Sequence, residues 1–309
     1  MDPAGLRPLG VGEVLDVAIK IYRSRFSVLV KSVAVVLGPI FVLSAIVRLS
    51  MPPPDDLFEV GQPGATPDFD GDLWAFVAGN LVIFLLAFLG SQLATGACFK
   101  AVSGAYLDEQ PDWRESLRFA RSRLGALLWL SFLLAILLGP AFLACIVPGL
   151  YLYVAWAVAS PVLLVEDVRG WDALKRSRHL VKGRFWPTAG LLVLVAILTA
   201  IVQAIFLGIL TGLMSAAGNE VARELANAVG QTASSALTTP LSAAVLTVLY
   251  FDLRVRKEGF DLELLARRLG VEPGTVASAE FLPATPPPVP SDDQPPFWPP
   301  PPGWRPRDG

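Results

Sequence analysis

Histidine, cysteine and charge are scarce in this sequence, and each scarcity removes a class of function. The only histidine, His179, has no cysteine or acidic partner at metal-ligand spacing. No Gly-x-Ser-x-Gly segment is present either, so Ser-His-Asp catalysis has no support. The two cysteines, Cys98 and Cys145, lie in separate apolar runs, and no disulfide is expected between them. No cofactor is implied. Charged residues make up 17% of the chain, against roughly 25% in a soluble domain. Net charge is −2, and no basic face is left for nucleic acid once the basic residues are assigned to membrane flanks.

What is present is apolar: 53% hydrophobic residues, with a mean hydropathy of +0.55. From Leu124 to Val165 there is no Asp, Glu, Lys or Arg in 42 residues. One helix of that length would reach about 63 Å at 1.5 Å per residue, twice the ~30 Å hydrocarbon core. The stretch therefore turns inside itself, and Pro148-Gly149 is the turn signal. Six spans are predicted, at about 26–49, 73–97, 124–147, 150–165, 187–213 and 229–251. The start of the chain lacks the pattern of a cleavable signal, so the first span reads as a retained anchor.

The connecting segments alternate in basic charge. Of 25 Lys and Arg, 23 fall on one side of the predicted topology, and only Arg48 and Arg223 on the other. The positive-inside rule makes the rich side cytoplasmic, with both termini there and a plasma-membrane location. It also fixes an even number of spans, because a single crossing of the uncharged stretch would put the basic segment 168–184 outside. The loop Pro52 to Asp72 holds six acidic residues and no basic one. Its spacing matches no EF-hand loop, and it reads as a solvated acidic loop.

Arg-Ser-Arg occurs three times, at Arg23–Arg25, Arg121–Arg123 and Arg176–Arg178. Apolar stripes at helical spacing accompany each copy (Val11, Val14, Ala18, Tyr22; Trp113, Leu117, Ala120; Trp171, Leu174, Val181). Interfacial helices are predicted at about 11–25, 111–123 and 168–184, with Arg23, Arg25, Arg121, Arg123, Arg176 and Arg178 placed to meet anionic headgroups. The fold expectation is an all-α integral membrane protein of three units, each an interfacial helix followed by a transmembrane hairpin. Residues 1–270 form that membrane domain. A fourth short amphipathic helix is predicted at 261–269, and 271–309 is a disordered, proline-rich cytoplasmic tail open to a protein partner.

The predicted span interiors carry no charge, which counts against an ion-coupled transporter. Their polar side chains are Asn80, Gln92, Gln203 and scattered Ser and Thr, for which helix packing is the plainer role. A permease or lipid-handling channel with a central cavity is the alternative, framed by Pro39, Pro140, Pro161 and Pro240.

Ile146-Val-Pro-Gly-Leu-Tyr-Leu-Tyr-Val-Ala-Trp156, continuing through Ser160-Pro161, Glu166 and Ala173-Leu-Lys-Arg-Ser-Arg-His-Leu-Val-Lys-Gly-Arg-Phe-Trp186, resembles the glycerophosphoryl diester phosphodiesterase membrane-domain family. Arg7 to Asp16 and Tyr250 to Glu263 fit the same pattern, and the likeness is to its actinobacterial versions. The motif positions are Pro148, Gly149, Pro161, Glu166, Arg176, Ser177, Gly183 and Trp186. The barrel domain that gives that family its name uses His, Glu and Asp around a metal, and no His-Arg-Gly segment or room for a barrel exists here. The resemblance thus implies a membrane module without the enzyme, and the three basic amphipathic segments make the expectation a non-enzymatic module that organises lipids or protein partners. A membrane subunit accessory to glycerophosphodiester metabolism is a further alternative.

Overall fold

Inside hydrocarbon every backbone N–H and C=O must be satisfied within the protein, and a helix does so within one segment. The computed structural model describes residues 9–51, 71–106, 112–215 and 219–259, all in the first of two units, Met1–Gly259 and Phe260–Gly309. Nine helices occur among the described residues: α1 Val11–Ser24, α2 Phe26–Leu49, α3 Gly71–Tyr106, α4 Trp113–Ala144, α5 Ile146–Ala155, α6 Ala159–Glu166, α7 Trp171–Val181, α8 Phe185–Ser215 and α9 Glu220–Glu258. Six stretches are long and apolar enough to cross a membrane, with α5 and α6 together making one of them. The protein is an all-α, polytopic membrane protein. The acidic loop 52–70, the helix expected at 261–269 and the tail lie outside the described residues.

Helix α9 is the hub. It packs against α2, α8, α3 and α1, while α3 also packs on α2 and α4. Its inner face buries Ala236, Ala243, Ala244, Val248, Tyr250 and Phe251, and small residues there let the neighbouring backbones approach closely. Phe251 stacks on Tyr106 of α3 with ring centroids 4.5 Å apart. The outer faces of α3 and α8 leave Leu81, Phe84, Val193, Ile197, Ile201 and Ile209 exposed. Apolar surface of that extent belongs against lipid. Four buried hydroxyls cost little, because Ser32, Ser44, Thr238 and Thr247 each donate to a carbonyl four residues back.

Three boundaries differ from the sequence reading. The uncharged stretch turns at Cys145, whose extended backbone (φ −168°, ψ 140°) separates α4 from α5, and not at Pro148-Gly149. Pro148 instead occupies the first turn of α5, where a missing N–H costs no hydrogen bond. The fourth span is two helices, α5 and α6, joined through a tight turn in which Ala157 N–H donates to Val154 and Ala159 N–H to Trp156. Pro161 explains the break, since its ring excludes a continuous helix through the carbonyl four residues earlier.

The third difference concerns the amphipathic segments. Arg25 (φ −113°) parts α1 from α2, and Gly183 (φ 91°) lies between α7 and α8. The second segment has no such break. Residues 113–123 run straight into the span as α4, so no separate interfacial helix exists there. The three Arg-Ser-Arg copies accordingly sit at a helix end, in the body of a long helix and inside a short one.

Candidate functional site

Charge gathers at one end of the bundle, formed by α1, the end of α3, the start of α4, the α6–α7 turn, α7, the start of α8 and the end of α9. Glu166 ends α6 and Arg176 lies on α7, so the turn 167–170 brings them together. Arg176 binds Glu166 as a two-pronged fork, Nε to Oε2 at 2.7 Å and Nη2 to Oε1 at 3.1 Å. The same guanidinium donates to Glu258 Oε2 at 2.8 Å. Tyr250 donates its hydroxyl proton to Glu166 Oε1 at 2.8 Å, and Arg254 donates to Glu258 at 3.2 Å. The spacing 250, 254, 258 puts those three side chains on one face of α9. Tyr250 is fully buried and Glu166 keeps 15% of its side chain exposed, so the cluster sits where hydrocarbon gives way to water. The paired carboxylates, Glu166 foremost, hold the Arg176 guanidinium firmly protonated.

Two further clasps flank this cluster. Asp252, only 4% exposed, accepts from the backbone N–H of Leu9 at 2.7 Å and from Arg256 Nε at 3.0 Å. This ties the chain before α1 to α9. Asp167, in left-handed backbone conformation (φ 55°), pairs with Arg123 of α4, with Arg169 standing 3.7 Å away. The Arg123 hydrogen bond holds the Asp167 carboxyl below its ordinary range.

Helix α7 is therefore divided. Ala173, Leu174, Ser177, Leu180 and Val181 are buried, with Ser177 donating to the carbonyl of Ala155 at 3.0 Å. Lys175, Arg178, His179 and Lys182 face outward around a cavity of about 390 Å³, walled on the other side by Tyr151 and Phe185. Gly183 at the cavity mouth turns the chain from α7 into α8 with a φ of 91°, a conformation that glycine adopts without a Cβ penalty.

The motif positions thus split into roles. Glu166, Arg176, Ser177 and Gly183 meet around α7, and Pro148 and Pro161 shape the broken span. Gly149 packs against Phe142, and Trp186 is 81% exposed beside the cavity. The expected headgroup-facing arginines also divide. Arg23, Arg121 and Arg178 are exposed, and Arg25 is partly so. Arg123 and Arg176 are engaged by carboxylates instead, because the turn after α6 supplies Glu166 and Asp167.

The intramembrane polar set does not converge. Asn80 bonds the carbonyl of Phe76 in its own helix at 2.9 Å, Gln92 accepts from Ser131 of α4 at 3.0 Å, and Gln203 is exposed on α8. Among the described residues no three His, Cys, Asp or Glu stand close enough to hold a metal ion. Tyr250, Arg254, Glu258, Asp252 and Asp167 carry the clasps without having been singled out in the sequence. The i, i+4 spacing of Asp252 with Arg256 and of Arg254 with Glu258 was the available signal.

These features define a polytopic α-helical membrane protein whose short amphipathic helix is clamped to the bundle by ion pairs at its basic end. The chain belongs to the family described as Domain of unknown function (DUF8558), whose model matches residues 123–278 and so contains the fourth span, α7 and the clasps on α9. Neither the curated proteins nor the solved structures contain a match.

Proposed function

We propose that this protein is a non-enzymatic membrane module of the plasma membrane that organises lipids or protein partners at its cytoplasmic face. The observation that carries this reading is the divided helix α7. Its apolar face is locked into the bundle, and its cationic face is turned out at the level where the spans end. A helix so placed meets headgroups, and each Lys or Arg near an anionic surface contributes about 1 kcal/mol. The exposed Lys20 and Arg23 on α1 extend the same surface.

The channel reading has less support. Helix α9 fills the centre with side chains, and Asn80, Gln92 and Gln203 line no common space. A membrane subunit accessory to glycerophosphodiester metabolism rests on the motif resemblance; it would supply groups only to a partner, so the purified chain alone should show no glycerophosphodiester hydrolysis. The leading reading is tested by hydrogen exchange on the full chain reconstituted in zwitterionic bilayers and in bilayers containing anionic lipid. Slower exchange in α1 and α7 with anionic lipid is expected, and equal protection in both bilayers overturns it.

A further inference from the structure

Four of the basic side chains at this end of the bundle share one cavity, and three of them differ from the arginines of the clasps in what they lack. Arg123, Arg176, Arg254 and Arg256 each have a carboxylate within an ion-pair distance. Arg178, His179 and Lys182 have none among the described residues. Lys175 has only Asp172, 3.6 Å away, and both of those side chains are mostly exposed, where such a pair is worth little. A further cation stands behind the wall, since Lys257 of α9 donates to the backbone carbonyl of His179. Like charges on one cavity wall repel one another, so the cavity favours an anion.

The opposite wall says which kind. Tyr151 stacks on Phe185 with centroids 5.4 Å apart, and Phe185 meets Trp186 edge to face at 5.6 Å. Trp186 is almost wholly exposed, as are large parts of Leu150, Tyr151 and Tyr153 on α5. Of these, Trp186 stands at the start of the α8 span, and an exposed Trp there marks headgroup depth. The surface below them on α5 and α8 is apolar and faces outward, which leaves a path for acyl chains. The bond from Ser177 to the Ala155 carbonyl fixes α7 on α5, so the two walls keep their spacing without a ligand.

We propose that this cavity binds the phosphate of an anionic membrane phospholipid, with Arg178, His179 and Lys182 on the phosphate and Tyr151 and Phe185 against the glycerol end. The proposal deepens the reading of α7 as a headgroup-level helix and rests on it. A free phosphate ion offers the same charge but has no use for the aromatic wall or the apolar surface beneath.

The test is lipid retention by the full chain in detergent, followed by native mass spectrometry with dioctanoyl phosphatidic acid, phosphatidylglycerol or phosphatidylcholine. At least one anionic lipid should be retained about tenfold or more over phosphatidylcholine, a preference removed in R178Q/K182Q and kept in R178K/K182R. The surface control R114Q/R118Q, at exposed α4 residues that do not line the cavity, should keep it too. Persistence of the preference in R178Q/K182Q, or its loss in R178K/K182R, overturns the site. Displacement of the lipid by inorganic phosphate at equal concentration shows that the anion alone is recognised and overturns the lipid assignment. Hydrogen exchange separates the two readings. If R178Q/K182Q keeps the preference while anionic bilayers still protect α1 and α7, only the cavity fails; if no protection is seen in the unaltered chain, the broader reading fails as well.

Discussion

At the scale of single residues, Arg176 is the pivot. Its guanidinium bridges Glu166 on one element and Glu258 on another, and no other side-chain type offers that planar fork. Removing one partner of a fully buried pair costs about 3–5 kcal/mol, and partial exposure here brings the expectation for Arg176→Ala to about 1–3 kcal/mol. Thermal unfolding in micelles should show that loss, and Arg176→Lys should recover only part of it. Asp167 makes a pH-dependent contribution whose sign follows from Arg123. A carboxyl held below its ordinary range stabilises the fold above that range and ceases to do so as pH falls through the lowered value. The melting midpoints of the parent and Asp167→Asn should therefore differ at neutral pH and converge in acid. Asn tolerates the left-handed backbone, which makes it the clean substitution.

At the scale of elements, the α4–α5 corner is the most informative joint. A Cβ on Gly149 would stand 2.5 Å from the ring of Phe142, closer than side chains pack. Gly149→Leu should destabilise the protein by about 1–3 kcal/mol through overpacking. Phe142→Ala in the same chain should return much of that, because the obstructing atoms belong to one side chain. A double-mutant cycle on melting temperature measures the coupling, and additive losses would remove the contact from the explanation. This corner was only half legible in the sequence. The absence of charge over Leu124–Val165 required a reversal, but Pro-Gly chemistry suggested the wrong residue for it. A proline is as comfortable in a helix's first turn as in a loop, and only the extended Cys145 decides between them. Likewise, nothing between Arg121 and Gly125 stops a helix, so the second amphipathic segment merged with its span.

At the scale of the whole molecule, sidedness is the testable quantity. Cys98 is fully buried in α3 and Cys145 is exposed at the α4–α5 corner, at opposite ends of the bundle. Burial alone silences Cys98, so a labelling contrast needs an accessible position on each side. Cys145 should be labelled by an impermeant thiol reagent on intact cells, and in a chain lacking both native cysteines the reagent should reach an introduced Ser50→Cys. It should miss Lys175→Cys until the membrane is opened. Labelling of Lys175→Cys in intact cells would reverse the orientation that the basic residues imply.

Composition and periodicity alone determined that this chain is helical, that it crosses a membrane, and that its basic residues collect at one end. Each of those follows from local quantities: hydropathy over ~20 residues, helical spacing, and the distance of a charge from an apolar run. Which cations are left open and which are engaged was decided by tertiary structure. Arg176 and Arg178 share one tripeptide and one helix, yet the first is clamped by Glu166 and Glu258 and the second opens onto the cavity. Two residues apart on a helix means opposite faces, and only the packing of α6 and α9 against one of those faces brings the carboxylates that make the difference.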